Sequence, residues 1–299
     1  MNKLIVTRWN SRVLTALVSE KATIELGLVD TASILGNIYI GKVKKIVKNL
    51  NSAFVDFSEG RTGYYSLTDN KVTLFADGHE GKLKEGDEII VQVAKDAVKT
   101  KDPVLTGNLN FSGKYAVLTT GKRLIGFSSK IEDREWKEAM RPQIEALLEG
   151  KDTGIIIRTN AYGQETKLLR ELSALLEQYE RVMNNARYRT CYSLLHEAEP
   201  DYIKSLRNSP SGSLEEVVTD QPDVYARLQE YFEVSDIFET TGLRFYEDKL
   251  LSLTKLYSLD HEMEQSCQKR VWLKSGGYLI IECTEAMVVI DVNTGKYSG

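Results

Sequence analysis

The chain has 299 residues, of which 42% are hydrophobic and 27% charged, and its formal net charge is −4. That length allows two or three cores, and the balance of residue types is that of an ordinary globular protein. No stretch reaches the roughly 18 apolar residues of a membrane span, and the start, Met-Asn-Lys-Leu-Ile-Val, lacks the long apolar core of a signal peptide, so a cytoplasmic protein with no membrane span is expected.

In chain order, residues 3–8 and 12–19 read as a strand pair joined by a turn at Trp9-Asn-Ser11, a pair that needs a sheet to join. From Gly36 the character changes to short β runs at 37–47, 52–57, 62–67 and 88–94, separated by Gly, Asn and Asp turns. This pattern predicts a small closed barrel of the OB type at about 36–108. The stretch 109–205 mixes strands at 114–119 and 153–159 with amphipathic helices around 132–149 and 164–185. In the second helix Leu168, Leu169, Leu172, Leu175 and Leu176 form one buried stripe, and the whole reads as a compact α/β unit. A polar break at 208–213 is followed by helical segments, a helix around 258–269 and a terminal hairpin whose apolar runs flank Thr284-Glu285.

Cys191, Cys267 and Cys283 are far apart and lack C-x-x-C spacing, which indicates buried thiols rather than a disulfide framework or a zinc knuckle. His79, His196 and His261 are isolated and read as structural or surface residues. The mean charge hides local basic patches.

Three places carry chemistry. Asp291 stands at the end of the last apolar strand, expected to be a buried ladder. Side chains alternate along a strand, so Asp291 and Asn293 share a face and offer two hard oxygen ligands suited to magnesium. The alternative is a turn begun by Asp291 with Asn293-Thr-Gly295 as turn chemistry. One Asp and one Asn do not complete a magnesium site, and the chain stops before a further strand supplies a second carboxylate, so a sequence cut through its active site is expected. In the barrel, Phe54 and Tyr64 lie on successive strands with Lys42, Lys44, Lys45, Lys48 and Arg61 nearby, while Lys95, Lys99 and Lys101 extend the basic side. Aromatics that stack on unpaired bases beside lysines that meet phosphates make a single-strand binding face; the alternative is that one or both aromatics are core. In Gly154-Ile-Ile-Ile-Arg158-Thr159 an apolar strand ends in a guanidinium fork and a hydroxyl, an anion pocket suited to a terminal phosphate. Its alternative is a surface arginine paired to a neighbouring acid. A nucleotide-phosphate loop at Gly276-Gly277 and Gly295 lacks the required spacing after a strand.

Taken in order, Gly36-Asn37-Ile-Tyr-Ile-Gly-Lys42, Ala53-Phe-Val-Asp-Phe57 with Thr62-Gly-Tyr64, Gly154-Ile-Ile-Ile-Arg158-Thr159, Lys274-Ser-Gly-Gly277, and Thr284-Glu-Ala with Ile290-Asp-Val-Asn293 resemble the bacterial ribonuclease E/G family. The resemblance is nearer to its G-type members and runs collinearly over essentially the whole chain. It implies that Asp291 and Asn293 belong to a magnesium site whose second Asp, on a later strand, is absent here. It also implies that Gly113, Val117, Arg158 and Thr159 recognise a 5′-monophosphate, and that Phe54, Tyr64 and Lys101 contact RNA. A basic position of the family's RNA path falls at Ser129, beside Lys130.

The implied fold is α+β and multidomain. An RNase H-like domain (1–35 and 206–270) is interrupted by an OB-fold RNA-binding barrel (36–108) and an α/β 5′-sensor domain (109–205). The start of a truncated deoxyribonuclease-like catalytic domain (271–299) follows. The family's later cysteine pair, which binds zinc between subunits, is absent, so zinc and the oligomer it holds are expected only of a full-length protein. The implied activity is that of a magnesium-dependent, single-strand-specific endoribonuclease of RNA processing and decay. It favours 5′-monophosphorylated RNA and leaves a 3′-hydroxyl and a 5′-phosphate, with this chain inactive or nearly so. The alternative is a non-catalytic RNA-binding or ribosome-associated module.

Overall fold

A computed structural model describes residues 2–20, 22–29, 33–98, 101–209, 213–234, 241–285 and 287–296. The chain divides into two compact units, Met1–Thr31 with Ser209–Gly299, and Ala32–Asn208. The second is inserted into the first.

The discontinuous unit begins with β1 (Asn2–Trp9), β2 (Arg12–Val18) and β3 (Thr23–Val29). Trp9 pairs with Arg12, which leaves a two-residue turn at Asn10 and Ser11, both at positive φ (48° and 66°). Such a turn matches the right-handed twist of antiparallel strands, and Asn tolerates the left-handed region better than most residues. The third strand was not among the predicted elements.

In the inserted unit, β4 (Ile38–Val47), β5 (Ser52–Ser58), β6 (Arg61–Ser66), β7 (Glu88–Lys95) and β8 (Val104–Thr106) run in the order β4-β5-β6-β8-β7, and β4 also pairs with β7. The sheet therefore closes on itself as an OB-like five-stranded barrel, with Val43, Val55, Phe57, Tyr65, Ile89, Val91 and Leu105 in its core. Burial pushes the Tyr65 phenol up to about 12.

The rest of the inserted unit comprises β9 (Asn110–Ser112), β10 (Ala116–Thr120), β11 (Ile125–Phe127), α1 (Arg134–Leu148), β12 (Thr153–Ile157), α2 (Glu165–Ala186), β13 (Leu194–His196) and α3 (Asp201–Asn208). The Asp133 carboxylate caps α1 by accepting the Trp136 N–H. A four-stranded sheet, β11-β12-β10-β9, buries Leu118, Ile155 and Ile157 against Met140, Ile144, Leu168, Leu172, Leu175 and Leu176 of the two long helices. Ile38, Ile40 and Ile90 of the barrel belong to the same core cluster, and β13 returns to pair with β4. Three barrel residues thus extend the core of the α/β region, beside the barrel's own cluster.

The discontinuous unit resumes with β14 (Leu214–Thr219), α4 (Pro222–Val234), β15 (Gly242–Phe245), α5 (Leu253–Leu256) and α6 (Leu259–Ser266). Strand β14 runs parallel to β1, and β15 parallel to β14, giving the order β15-β14-β1-β2-β3. Central β1 is buried over Leu4–Thr7, as a strand covered on both faces requires. Glu216 of β14 accepts from Lys3 of β1 at 3.0 Å and from Arg244 of β15 at 2.6 Å, and the two cations hold its carboxyl below the usual glutamate value, Arg244 more than Lys3. The expected helix at 258–269 is shorter.

Last come β16 (Arg270–Trp272), β17 (Tyr278–Cys283) and β18 (Val288–Asn293), an antiparallel three-stranded sheet. The expectation of a buried ladder is corrected here: Val288, Val289, Ile290 and Val292 are 44–70% exposed. A sheet this small covers a face only when a second layer packs on it, whatever its own hydrophobicity. Among the described residues, no helix is long and apolar enough to cross a membrane.

Candidate functional site

Along β5, Ala53, Val55 and Phe57 are buried while Phe54 between them is half-buried; along β6, Gly63 and Tyr65 are buried while Tyr64 is half-buried. The two-residue alternation of strands therefore turns Phe54 and Tyr64 outward, which removes the alternative that they are core. They face each other in register, with ring centroids 6.3 Å apart and edge to face. Lys45 pairs with Phe54 from β4, so a lysine and two aromatics make one cross-strand row on the barrel's outer surface. Lys101 is exposed two residues before Pro103, whose carbonyl accepts the Tyr64 N–H at 2.8 Å. Lys44 is drawn to Asp56 at 3.4 Å, and Lys99 lies outside the described residues.

Arg158 follows β12 directly, and its N–H donates to the Tyr115 carbonyl at 2.7 Å. Helices cover one face of this sheet. On the other, Val117 pairs with Ile156, which is 45% exposed although isoleucines flank it on both sides. Arg158, two residues beyond Ile156, continues that open face. Its guanidinium donates to Asn208 Oδ1 at 2.7 Å and makes no ion pair among the described residues, unlike the acid-paired alternative. Burial lowers the pKa of Arg158, the nearby Arg207 lowers it further, and Glu171 opposes both. A group that loses hydration beside a like charge favours a bound anion. The Thr159 hydroxyl lies 2.9 Å from Ser128 Oγ, which adds a second hydroxyl to that end of the strand. Ser129, next to it, offers no positive charge.

Gly113 and Val117 bracket a turn built around one carboxylate. Glu171 accepts the N–H of Lys114 (2.7 Å), Tyr115 (2.7 Å) and Ala116 (2.9 Å). Burial pushes its carboxyl up while these bonds pull it down. The carboxylate sits where a Cβ on residue 113 would stand, so a side chain there would push Glu171 off its three N–H donors. The turn also explains why β10 starts at Ala116 rather than at residue 114. Glu171 and Asn208 were not among the predicted site residues. A charge at 171 inside the stripe of Leu168, Leu172 and Leu175 is the one sequence signal that marks it.

On the terminal sheet, Asn293 Nδ2 donates to Asp291 Oδ2 at 2.9 Å. The two share a face and touch, as their spacing predicts. Asp291 is exposed, and the hydrogen bond leaves its Oδ1 and the Asn293 amide oxygen open. Two hard oxygens of this kind fit magnesium, which keeps several waters and commonly takes one or two carboxylates. Among the described residues no group of three His, Cys, Asp or Glu side chains forms a fuller metal cluster.

A sequence model of the Ribonuclease E/G family matches residues 110–299, which include Arg158, Thr159, Asp291 and Asn293. The chain is 29% identical over 279 residues to ribonuclease G of Escherichia coli, covering 89% of this chain and 56% of the relative. It is 28% identical over 292 residues to ribonuclease E of Nostoc, covering 95% of this chain and 42% of the relative. To ribonuclease E of Haemophilus influenzae it is 28% identical over 270 residues, covering 87% and 29%. The chain thus spans about half, or less, of the length of these curated relatives. With the family match extending over well more than half of its residues, the chain belongs to the ribonuclease E/G family.

Proposed function

We propose that this chain is the RNA-holding part and half of the metal site of a single-strand-specific endoribonuclease that acts in RNA processing and decay in the cytoplasm and prefers a 5′-monophosphate. The observation that carries the reading is the contact between Asp291 and Asn293 on one face of the terminal sheet, within the region that matches the family. A hydrogen-bonded acid and amide have no packing role on an exposed strand, whereas they suit a divalent cation beside a phosphodiester. The strand order β15-β14-β1-β2-β3, with β1, β2 and β3 antiparallel and β1, β14 and β15 parallel, supports an RNase H-like arrangement for residues 1–35 and 206–270. Residues 36–108 and 109–205 are then the RNA-binding and 5′-sensing segments, and 271–299 opens a deoxyribonuclease-like catalytic domain.

In this mechanism Lys45, Phe54, Tyr64 and Lys101 hold an unpaired strand, with bases on the rings and phosphates on the ammonium groups. Arg158 and Thr159 hold the terminal phosphate, aided by Ser128, while the turn from Gly113 to Val117 shapes the pocket. One guanidinium and two hydroxyls supply the donors that a single terminal phosphate takes up, which supports the monophosphate preference. Asp291 and Asn293 would hold magnesium, which when bound would stabilise charge on the phosphoryl oxygens and acidify a water. Asn293 also orients the Asp291 carboxylate through its hydrogen bond.

A second reading, a module that binds RNA without cutting it, is favoured by the single carboxylate at the Asp291–Asn293 pair. One experiment separates the two: the 299-residue chain and the full-length protein are each incubated with magnesium and an end-labelled, unstructured RNA. Binding by both, with cleavage by the full-length protein and little or none by the chain, is the expected result. Binding with no cleavage by either leaves the non-catalytic module, and no binding by either sinks both readings.

A further inference from the structure

The terminal sheet is amphipathic across all three strands. Directly paired residues point to the same side, so the register assigns Val271, Leu279, Ile281, Cys283, Val288, Ile290 and Val292 to one face. That face is wholly apolar. The opposite face carries Arg270 and Trp272 on β16, Tyr278, Ile280 and Glu282 on β17, and Val289, Asp291 and Asn293 on β18. A second layer covers the apolar face before the polar one, so the face bearing Asp291 is the one presented to a ligand.

On it, Trp272, Tyr278 and Asn293 form one cross-strand row, and Arg270, Ile280 and Asp291 the next. Trp272 is 59% exposed. Its ring centroid lies 5.0 Å from that of Tyr278 at an interplanar angle of 55°. The Arg270 guanidinium lies 4.7 Å from the Tyr278 centroid and 5.9 Å from that of Trp272. An exposed indole braced by a phenol and a guanidinium is a preformed π surface with a positive charge beside it, and Lys274 adds to that charge in the following turn.

Resting on the reading of Asp291 and Asn293 as a cleavage site, we propose that Trp272 and Tyr278, with Arg270, form a stacking platform for an unpaired RNA base beside the Asp291–Asn293 pair. Trp272 stands two strands from Asn293, roughly 10 Å at about 4.8 Å per strand. That is a distance of one to two nucleotides, so the platform holds a base flanking the phosphodiester presented to Asp291. The charge favours nucleic acid over an apolar partner: Glu282 on the same face is paired with Lys269 at 3.0 Å, which leaves Arg270 with no ion pair among the described residues and suited to a phosphate backbone.

The test is an intrinsic-fluorescence titration of the 299-residue chain with hexaadenylate and hexauridylate, for wild type, Trp272→Leu, Trp272→Phe and Tyr278→Leu, with circular dichroism as the control for folding. Wild-type emission should be quenched on binding. Trp272→Leu should lose most of the quench and about tenfold in affinity, more for adenine than uracil, and Trp272→Phe should recover most of the affinity. Trp9 and Trp136 remain as internal references. If Trp272→Leu binds within twofold of wild type while Phe54→Ala weakens binding, the platform is refuted and the barrel reading stands. If wild type binds neither oligonucleotide, the platform falls together with the nuclease reading. If Trp272→Leu abolishes a wild-type dimer in sedimentation and leaves RNA affinity unchanged, the surface belongs to a second copy and the proposal is overturned.

Discussion

The side-chain amide of Asn293 donates to the Asp291 carboxylate from two residues further along the same strand, at 2.9 Å. This contact engages one carboxylate oxygen of the acid and leaves the other free.

If that free oxygen binds magnesium, the loss on mutation falls on the transition state rather than on RNA affinity. In the full-length protein Asp291→Asn should lower the cleavage rate at saturating magnesium by at least about a hundredfold, and RNA affinity by less than about twofold. Asn293→Ala should fall between wild type and Asp291→Asn, and higher magnesium should partly restore it. Cleavage that is unchanged in Asp291→Asn removes this residue from the mechanism.

The outward pair Phe54 and Tyr64 should act on binding alone. Either ring replaced by Ala should weaken single-strand affinity by about 1–3 kcal/mol, with thermal stability nearly kept because neither side chain is in the barrel core. Lys101→Ala should weaken binding evenly across sequences and flatten its salt dependence. A variant at position 54 that unfolds, while its folded fraction binds normally, would return that ring to a structural role.

Arg158→Gln should cost the full-length protein about ten- to a hundredfold in kcat/KM on 5′-monophosphate RNA and little on 5′-hydroxyl or 5′-triphosphate RNA. Paired short substrates that differ only in the 5′ end read this directly. An equal loss on all three assigns Arg158 to the fold or to the general RNA path.

Glu171 should matter to stability first. Glu171→Ala strands three buried backbone N–H groups at once and should lower the urea-unfolding free energy by about 2–4 kcal/mol, with Glu171→Gln near half of that. Gly113→Ala should destabilise as well, because its methyl would occupy the position of the carboxylate. Wild-type stability in Glu171→Ala would show that water replaces the carboxylate freely.

Acid should unfasten the discontinuous unit through Glu216. Its folded pKa is depressed by Arg244 and Lys3, so its contribution is fully present above the ordinary glutamate value and is lost as pH falls through the depressed folded value. Because the group is partly solvated, the contribution is about 1 kcal/mol. Stability followed from pH 6 to pH 3, an interval of about three units around ordinary carboxylate values, should fall less steeply for Glu216→Gln than for wild type. Parallel curves would mean that the two cations add nothing measurable.

What could be read from sequence was local or periodic. Ala53, Val55 and Phe57 alternate with Phe54, so one strand's pattern is enough to suggest a barrel face, and Arg158 is conspicuous because it ends an apolar run. Glu171 was not legible because its partners are backbone N–H groups of a turn more than fifty residues upstream, and N–H groups leave no signature in side-chain identity. The family resemblance joined residues 1–35 to 206–270, but the strand that pairs with β1 was not legible in the residues themselves. Parallel pairing is non-local, and nothing in Leu4-Ile-Val6 names Val217 as its neighbour. The exposed terminal ladder was misjudged because apolar content reports a need for cover, not its presence.

The pairing of β1 with β14 also sets an order of events. Lys3 and Glu216 meet across 213 positions, so on a growing polypeptide the first three strands emerge long before their central neighbour exists. The whole inserted unit leaves the ribosome in that interval and has its own closed barrel and core, so it matures first. Until β14 emerges, one edge of β1 is unpaired and open to any other strand. Slow, late acquisition of the five-stranded sheet, after a fast phase belonging to the insert, is therefore the expected refolding record of this polypeptide.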